Sequence, residues 1–131
     1  MARYVRNVKA IFNLKLHLIW CTKYRRPVLV EDIEKRLRIL LYTKTKELEM
    51  VIYSLDINPD YVHIFIEFDP RQGIAEIVNR LKGFTSRILR REFSSLRSRL
   101  PTLWSRSYYA GTVGQVLGVT IRMYIDSQKG K

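Results

Sequence analysis

From Phe12 to Trp20 the side chains alternate, with Phe12, Leu14, Leu16, Leu18 and Trp20 on one side and Asn13, Lys15, His17 and Ile19 on the other. That period of two is the mark of a half-buried strand. After Glu31 the spacing changes to a helical one, with Ile33, Leu37, Leu40, Leu41 and Leu48 on a common stripe, which predicts an amphipathic helix to about Leu48. Two β-rich runs follow, Val51 to Ile57 and Tyr61 to Phe68, on either side of Asn58-Pro59-Asp60. The turn chemistry of that tripeptide predicts a tight hairpin. Within the second run Val62, Ile64, Ile66 and Phe68 form the core side, and Tyr61, His63, Phe65 and Glu67 the other. Ile74, Ile77, Val78 and Leu81 open a second helix, predicted to break near Gly83 and to continue through Ile88, Leu89 and Phe93. Beyond Pro101 the stretch 103–113 reads as aromatic and strand-like. A last short helix starts between Gln115 and Thr120 and ends near Gln128.

The predicted order is strand, helix, strand, strand, helix, strand, helix. It points to an α+β protein, a ferredoxin-like or RRM-like split βαβ sandwich with an additional C-terminal helix. No repeat, linker or low-complexity stretch divides the chain, so residues 1–131 are read as a single domain. In this topology the strands of His17 and His63 are central neighbours. Helices cover one sheet face, and the other displays Lys15, His17, Tyr61, His63 and Phe65.

Composition narrows the class of partner. The 24 Lys and Arg against 12 Asp and Glu give a net charge of +12, which favours a polyanion, nucleic acid before an anionic membrane surface. Hydrophobic residues make up 47% of the chain, enough for a core and too many for a disordered basic tail. The single cysteine, Cys21, allows no intrachain disulfide and no Cys-based zinc site, and so points to a reducing compartment. Charges interrupt every apolar run before the roughly 18 residues of a membrane span. The first acid is Glu31, but residues 1–30 contain no Ser and alternate like a strand, so they are read as mature fold and not as a transit peptide. The expected location is cytoplasmic, in association with the nucleoid.

Cations cluster in two places. Between Arg80 and Arg99 stand Arg80, Lys82, Arg87, Arg90, Arg91, Arg97 and Arg99 against one acid, Glu92. Cys21-Thr22-Lys23-Tyr24-Arg25-Arg26-Pro27 interleaves three more with an aromatic ring, a composition suited either to a loop that contacts phosphates and stacks on a base or to a solvated turn. Lys23, Arg25, Arg26, Arg80, Lys82, Arg87, Arg90 and Arg91 are the expected DNA-binding set. Near the C-terminus Tyr124 and Gln128 stand at i and i+4, on one helix face.

An ordered set of short motifs spans nearly the whole chain. It comprises His17-Leu18-Ile19-Trp20-Cys21-Thr22-Lys23-Tyr24-Arg25-Arg26-Pro27-Val28-Leu29, then Pro59-Asp60-Tyr61-Val62-His63, Leu81-Lys82-Gly83, Leu103-Trp104-Ser105 with Ser107-Tyr108, and Tyr124-Ile125 followed by Gln128. The set resembles the single-tyrosine HUH transposases, the TnpA family of insertion sequences that move as single-stranded DNA. The resemblance implies a homodimer, with active sites shared between subunits, that binds hairpin ends and cleaves and rejoins single strands through a 5′-phosphotyrosine. It implies Tyr124 as nucleophile, and His63 and Gln128 as ligands of a divalent metal, Mg2+ or Mn2+. In one place the chain departs from the pattern. The first histidine of the His-hydrophobic-His motif is replaced by Tyr61, and a neutral phenol is a weak ligand beside imidazole or carboxylate. Asp60 or His17 could complete the site instead. The alternatives are a catalytically inactive relative, or an RRM-like module that only binds single-stranded nucleic acid.

Overall fold

The structure, a computed structural model, describes residues 14–112 and 117–131. The predicted strand positions Phe12, Asn13 and Val113, and the helix start considered at Gln115, lie outside them. Strand β1 (Leu14–Cys21) leads through a short 3-10 turn (Lys23–Arg25) to helix α1 (Glu31–Glu47). The hairpin β2 (Val51–Asn58) and β3 (Tyr61–Phe68) precedes helices α2 (Ile74–Glu92) and α3 (Ser94–Arg99), strand β4 (Tyr109–Thr112) and helix α4 (Leu117–Ser127).

The strands form one antiparallel sheet in the order β2-β3-β1-β4. This is the split βαβ arrangement that the element order predicts. Period-two alternation decides which residues go inside. Leu16, Leu18 and Trp20 of β1 join Val62, Ile64, Ile66 and Phe68 of β3 in a core closed by Leu37, Leu40 and Leu41 of α1 and by Ile77, Val78, Leu81 and Leu89 of α2. Trp20 meets Trp104 edge to face at 5.9 Å, a favoured aromatic geometry. The Trp104 indole donates to Thr85 Oγ1 at 3.1 Å.

Two sequence expectations need correction. Helix α2 runs through Gly83 without a break. Gly83 is exposed, and the space a Cβ would occupy is open, so its cost is the propensity penalty of about 1 kcal/mol, while buried Ile77, Val78, Leu81, Thr85 and Leu89 hold the helix on either side. The strand-like reading of 103–113 shrinks to Tyr109–Thr112. Leu103 and Trp104 are buried in an irregular segment, whose backbone bonds run from Lys23 N to Leu103 O and from Ser105 N to Cys21 O. These bonds make one isolated antiparallel bridge, Thr22 to Trp104, so the apolar character of the segment reflects core burial and not a continuous strand. Helix α3 lies in a stretch for which the sequence pattern offered no element.

The sheet face opposite α1 and α2 is only half bare. Ile125 of α4 packs on Ile19 and Cys21, with Tyr61, Tyr109, Ile121 and Tyr124 around them. An eleven-residue helix is short for independent stability, and this cluster is its seat on its own chain.

Candidate active site

Helix α4 presents Tyr124 and Gln128 one turn apart to the segment just before β4. Ser107 Oγ lies 2.8 Å from Tyr124 Oη and 2.8 Å from Gln128 Oε1. An amide oxygen only accepts, so the serine proton points at Gln128 and the phenol must donate to Ser107. Buried Ser105 adds a longer bond to the same amide oxygen at 3.5 Å. The Tyr124 phenol is pushed up to about 12, chiefly because burial disfavours the phenolate, with the Ser107 hydrogen bond acting against that. At rest the Tyr124 side chain is therefore a protonated phenol.

Lys82 of α2 ties this serine segment to the body of the protein. Its Nζ donates to Ser105 O at 2.7 Å and to Ser107 O at 3.2 Å. Burial lowers its pKa to about 8, with Cys21 opposing the shift. The unfolded chain keeps this lysine protonated to about pH 10.4, so between pH 8 and that value the unfolded state binds more protons than the folded one. Stability attributable to Lys82 must then rise with pH across this window, since the cost of a half-buried charge is relieved. Denaturant titrations of wild type and Lys82→Met are expected to diverge in favour of wild type from pH 8 to pH 10; a constant difference would show that the lysine titrates normally.

His63, which the resemblance implicates, and His17, a candidate to complete its site, meet on the sheet. His17 Nδ1 and His63 Nε2 are 2.9 Å apart, because Ile19 pairs with His63 and His17 with Phe65 across β1 and β3, leaving the two imidazoles as diagonal neighbours on one face. The Phe65 ring stacks on His17 at 4.1 Å and 11°. Burial lowers both histidine pKa values. The His63 charge also lowers that of His17, while Asp56, opposite His63 on β2, partly offsets the shift of His63. Both imidazoles are thus neutral at pH 7. His63, Tyr61 and Asp56 line an open cleft with Arg38, Ile57, Asn58 and Ile121. Ile121 stands one turn before Tyr124 on α4.

Of the other expected ligands, Tyr61 shares the cleft with His63, while Asp60 and Gln128 are engaged elsewhere. Tyr61 is half-buried against the Ile19, Cys21 and Ile125 cluster. Asp60 Oδ2 accepts from Arg25 Nε at 3.1 Å and Nη2 at 3.0 Å, while Arg25 Nη1 reaches Ile125 O at 3.2 Å. Arg25 therefore fastens the β2–β3 turn to α4, and these bonds help offset the positive φ of Tyr24 (57°) and Arg25 (52°), a conformation costing about 1–3 kcal/mol per residue. Gln128 is buried on its serines. Among the described residues no group of three or more His, Cys, Asp or Glu side chains is arranged to hold an ion.

The basic residues divide similarly. Lys23 is half-buried over the Tyr24 ring at 5.0 Å, beside exposed Arg26. Arg80, Arg87 and Arg91 are exposed along α2. Arg25 and Lys82 make the internal bonds described above, and Arg90 is half-buried, with its Nη1 enclosed. Sequence reasoning assigned no role to Ser105 and Ser107. They stood within the quoted motif set, but only the fold brings them to Tyr124. Buried Cys21, its thiol pushed up to about 11 by burial, is unreactive by the same physics.

Comparison with known proteins identifies the family of the chain. The ISDra2 transposase TnpA of Deinococcus radiodurans is 32% identical over 123 residues, 92% of this chain and 88% of that protein. The transposase for insertion sequence element IS200 of Salmonella typhimurium is 26% identical over 106 residues, 79% of this chain and 70% of that protein. A crystal structure described as a transposase from Deinococcus radiodurans R1 superposes with a TM-score of 0.87 at 31% identity, covering 93% of this chain and 95% of that one. A REP-associated tyrosine transposase bound to a REP hairpin shares the fold, with a TM-score of 0.53 at 14% identity over 86% of this chain and 62% of that one. No helix among the described residues is long and apolar enough to cross a membrane. Residues 10–128 match the family described as Transposase IS200 like, and with these relatives the chain belongs to that family, as a transposase of the single-tyrosine TnpA type.

Proposed function

We propose that this transposase cleaves and rejoins single-stranded DNA at the hairpin ends of its element, with Tyr124 as the nucleophile. The observation that carries the reading is the convergence of Tyr124 Oη and Gln128 Oε1 on Ser107, on a helix whose preceding turn lines the His63 cleft through Ile121. In the forward step Tyr124 Oη bonds to a backbone phosphorus and the bond from phosphorus to the 3′ oxygen breaks. The phenol proton is balanced by the proton gained on the released 3′-OH. The 5′-phosphotyrosine conserves the phosphodiester energy, so a new 3′-OH can reverse the step on another end without a nucleotide cofactor.

The donors that the reading needs suit a divalent ion, since the imidazole of His63 and the amide oxygen of Gln128 are both competent ligands. Mg2+ or Mn2+ held at His63, with Gln128 as a further ligand once released from its serines, would neutralise charge building on the phosphate oxygens. Burial keeps the phenol protonated, and Ser107 holds it oriented until DNA arrives. The hairpin named for the REP-associated relative supports a hairpin substrate here as well.

The reading includes a homodimer with shared sites, supported by Val119 and Met123, which leave 61% and 68% of their surfaces exposed on α4. Light scattering at micromolar concentration is expected to give a dimer mass; a monomer would remove the shared-site arrangement. For the reaction itself, incubation with a hairpin end strand and Mn2+ is expected to give a protein–DNA adduct that survives denaturant. A complex that dissolves in salt or detergent would mark the protein as a binder only.

A further inference from the structure

We infer that His17 supplies the imidazole that position 61 lacks, so that the divalent ion is held by a histidine pair on neighbouring strands, His17 Nδ1 with His63 Nε2. The need for an ion rests on the proposed transposase chemistry; the choice of ligands rests on the structure.

Spacing is the first argument. Two nitrogens bound at about 2.1 Å to one ion, at right angles across it, stand about 3.0 Å apart. The two imidazole nitrogens are 2.9 Å apart. Orientation is the second, because a ligand ring must be fixed by its surroundings. Phe65 stacks on His17, and the β1–β3 register holds both rings on one face.

The competing side chains already serve other contacts. The Tyr61 ring serves the apolar seat of α4, and the Asp60 carboxylate serves Arg25. The phenol at position 61 thus helps seat the helix that carries Tyr124, and ligation is left to the adjacent strand. Asp56 pairs with His63 across β2 and β3, on the side away from β1, and lines the cleft with His63, but it is not close enough to form a three-ligand group with the two histidines.

In the ion-free pair one imidazole N–H bridges the two rings. Ion binding needs both facing lone pairs, so that proton moves to the outer nitrogen of its own ring. No net proton is released, and no atom beyond the ion is added.

The experiment is electron spin-echo modulation of Mn2+ bound to the full chain, which counts coordinated imidazole nitrogens directly, with Mn2+ affinity from calorimetry. Wild type is expected to show two imidazoles. His17→Asn should show one, with affinity weakened about tenfold or more, and Tyr61→Phe should keep both, with affinity within twofold of wild type. The wild-type count needs no variant to fold, and His17→Gln provides a second substitution if the first is unstable. One imidazole or none in wild type, or two that persist in His17→Asn, overturns the pair. A Tyr124-linked DNA adduct with a single Mn2+-bound imidazole would sink this inference and leave the transposase chemistry standing, whereas two imidazoles without any adduct would do the reverse.

Discussion

Tyr124→Phe is expected to abolish the covalent protein–DNA adduct while leaving hairpin binding within a few-fold of wild type. The substitution removes a single oxygen. The ring can still pack beside Ile125 and Ile121, and Ser107 still donates to Gln128, so the structural loss is one neutral hydrogen bond, worth about 0.5–1.5 kcal/mol. The chemical loss is complete, because phenylalanine has no atom to bond to phosphorus. Tyr109, whose ring centre lies 6.1 Å from that of Tyr124, and Tyr108, packed at the edge of the core, are the competing candidates. Gel analysis under denaturing conditions decides among them: an adduct of normal yield in Tyr124→Phe would transfer the role to one of these neighbours.

The second large effect is on affinity. Lys23, Arg26, Arg80, Arg87 and Arg91 remain available at the surface, whereas Arg25 and Lys82 make internal bonds. The Arg80 ion pair with Glu76, 3.4 Å long with both side chains about half exposed, is worth little and yields readily to phosphate. If these five cations each neutralise one phosphate of a single strand, log K falls with log salt at a slope of about −3.5, and binding weakens about 100-fold from 50 to 200 mM salt. Arg87→Ala should flatten that slope by about 0.7. A wild-type slope near zero, measured by fluorescence anisotropy, would exclude the patch as the DNA surface.

How much of this was legible in the sequence depends on the range over which each residue's environment is set. Strand faces are a local matter of period two, so Leu16, Leu18, Trp20, Val62 and Ile64 could be placed inside and His17 and His63 on the other face before any fold was known. Gly83 misled because local propensity argues for a break, while tertiary burial on both sides of it overrides that preference. Leu103 and Trp104 misled because burial in an irregular segment leaves the same apolar signature as a strand. The partners of Arg25 and Lys82 could not be read at all. A basic residue in a basic chain looks like a phosphate ligand until the fold brings Asp60 and the Ile125 carbonyl to one, and the Ser105 and Ser107 carbonyls to the other. The contact of His17 with His63 is of the same kind. Topology makes the strands neighbours, but only the register, with Ile19 opposite His63, brings the two imidazoles within hydrogen-bond distance.

The measurement closest to the central claim is the identity of the residue that carries the DNA. After reaction with a hairpin end strand, trypsin cuts after Arg122 and Lys129 and releases Met123 to Lys129, a peptide with Tyr124 as its sole tyrosine. Mass spectrometry of the nuclease-trimmed adduct is expected to find the added nucleotide 5′-phosphate on this peptide, at Tyr124. The same mass on the peptide containing Tyr108 and Tyr109, or no modified peptide from a reaction that has cut its DNA, would contradict the assignment of Tyr124 as the nucleophile.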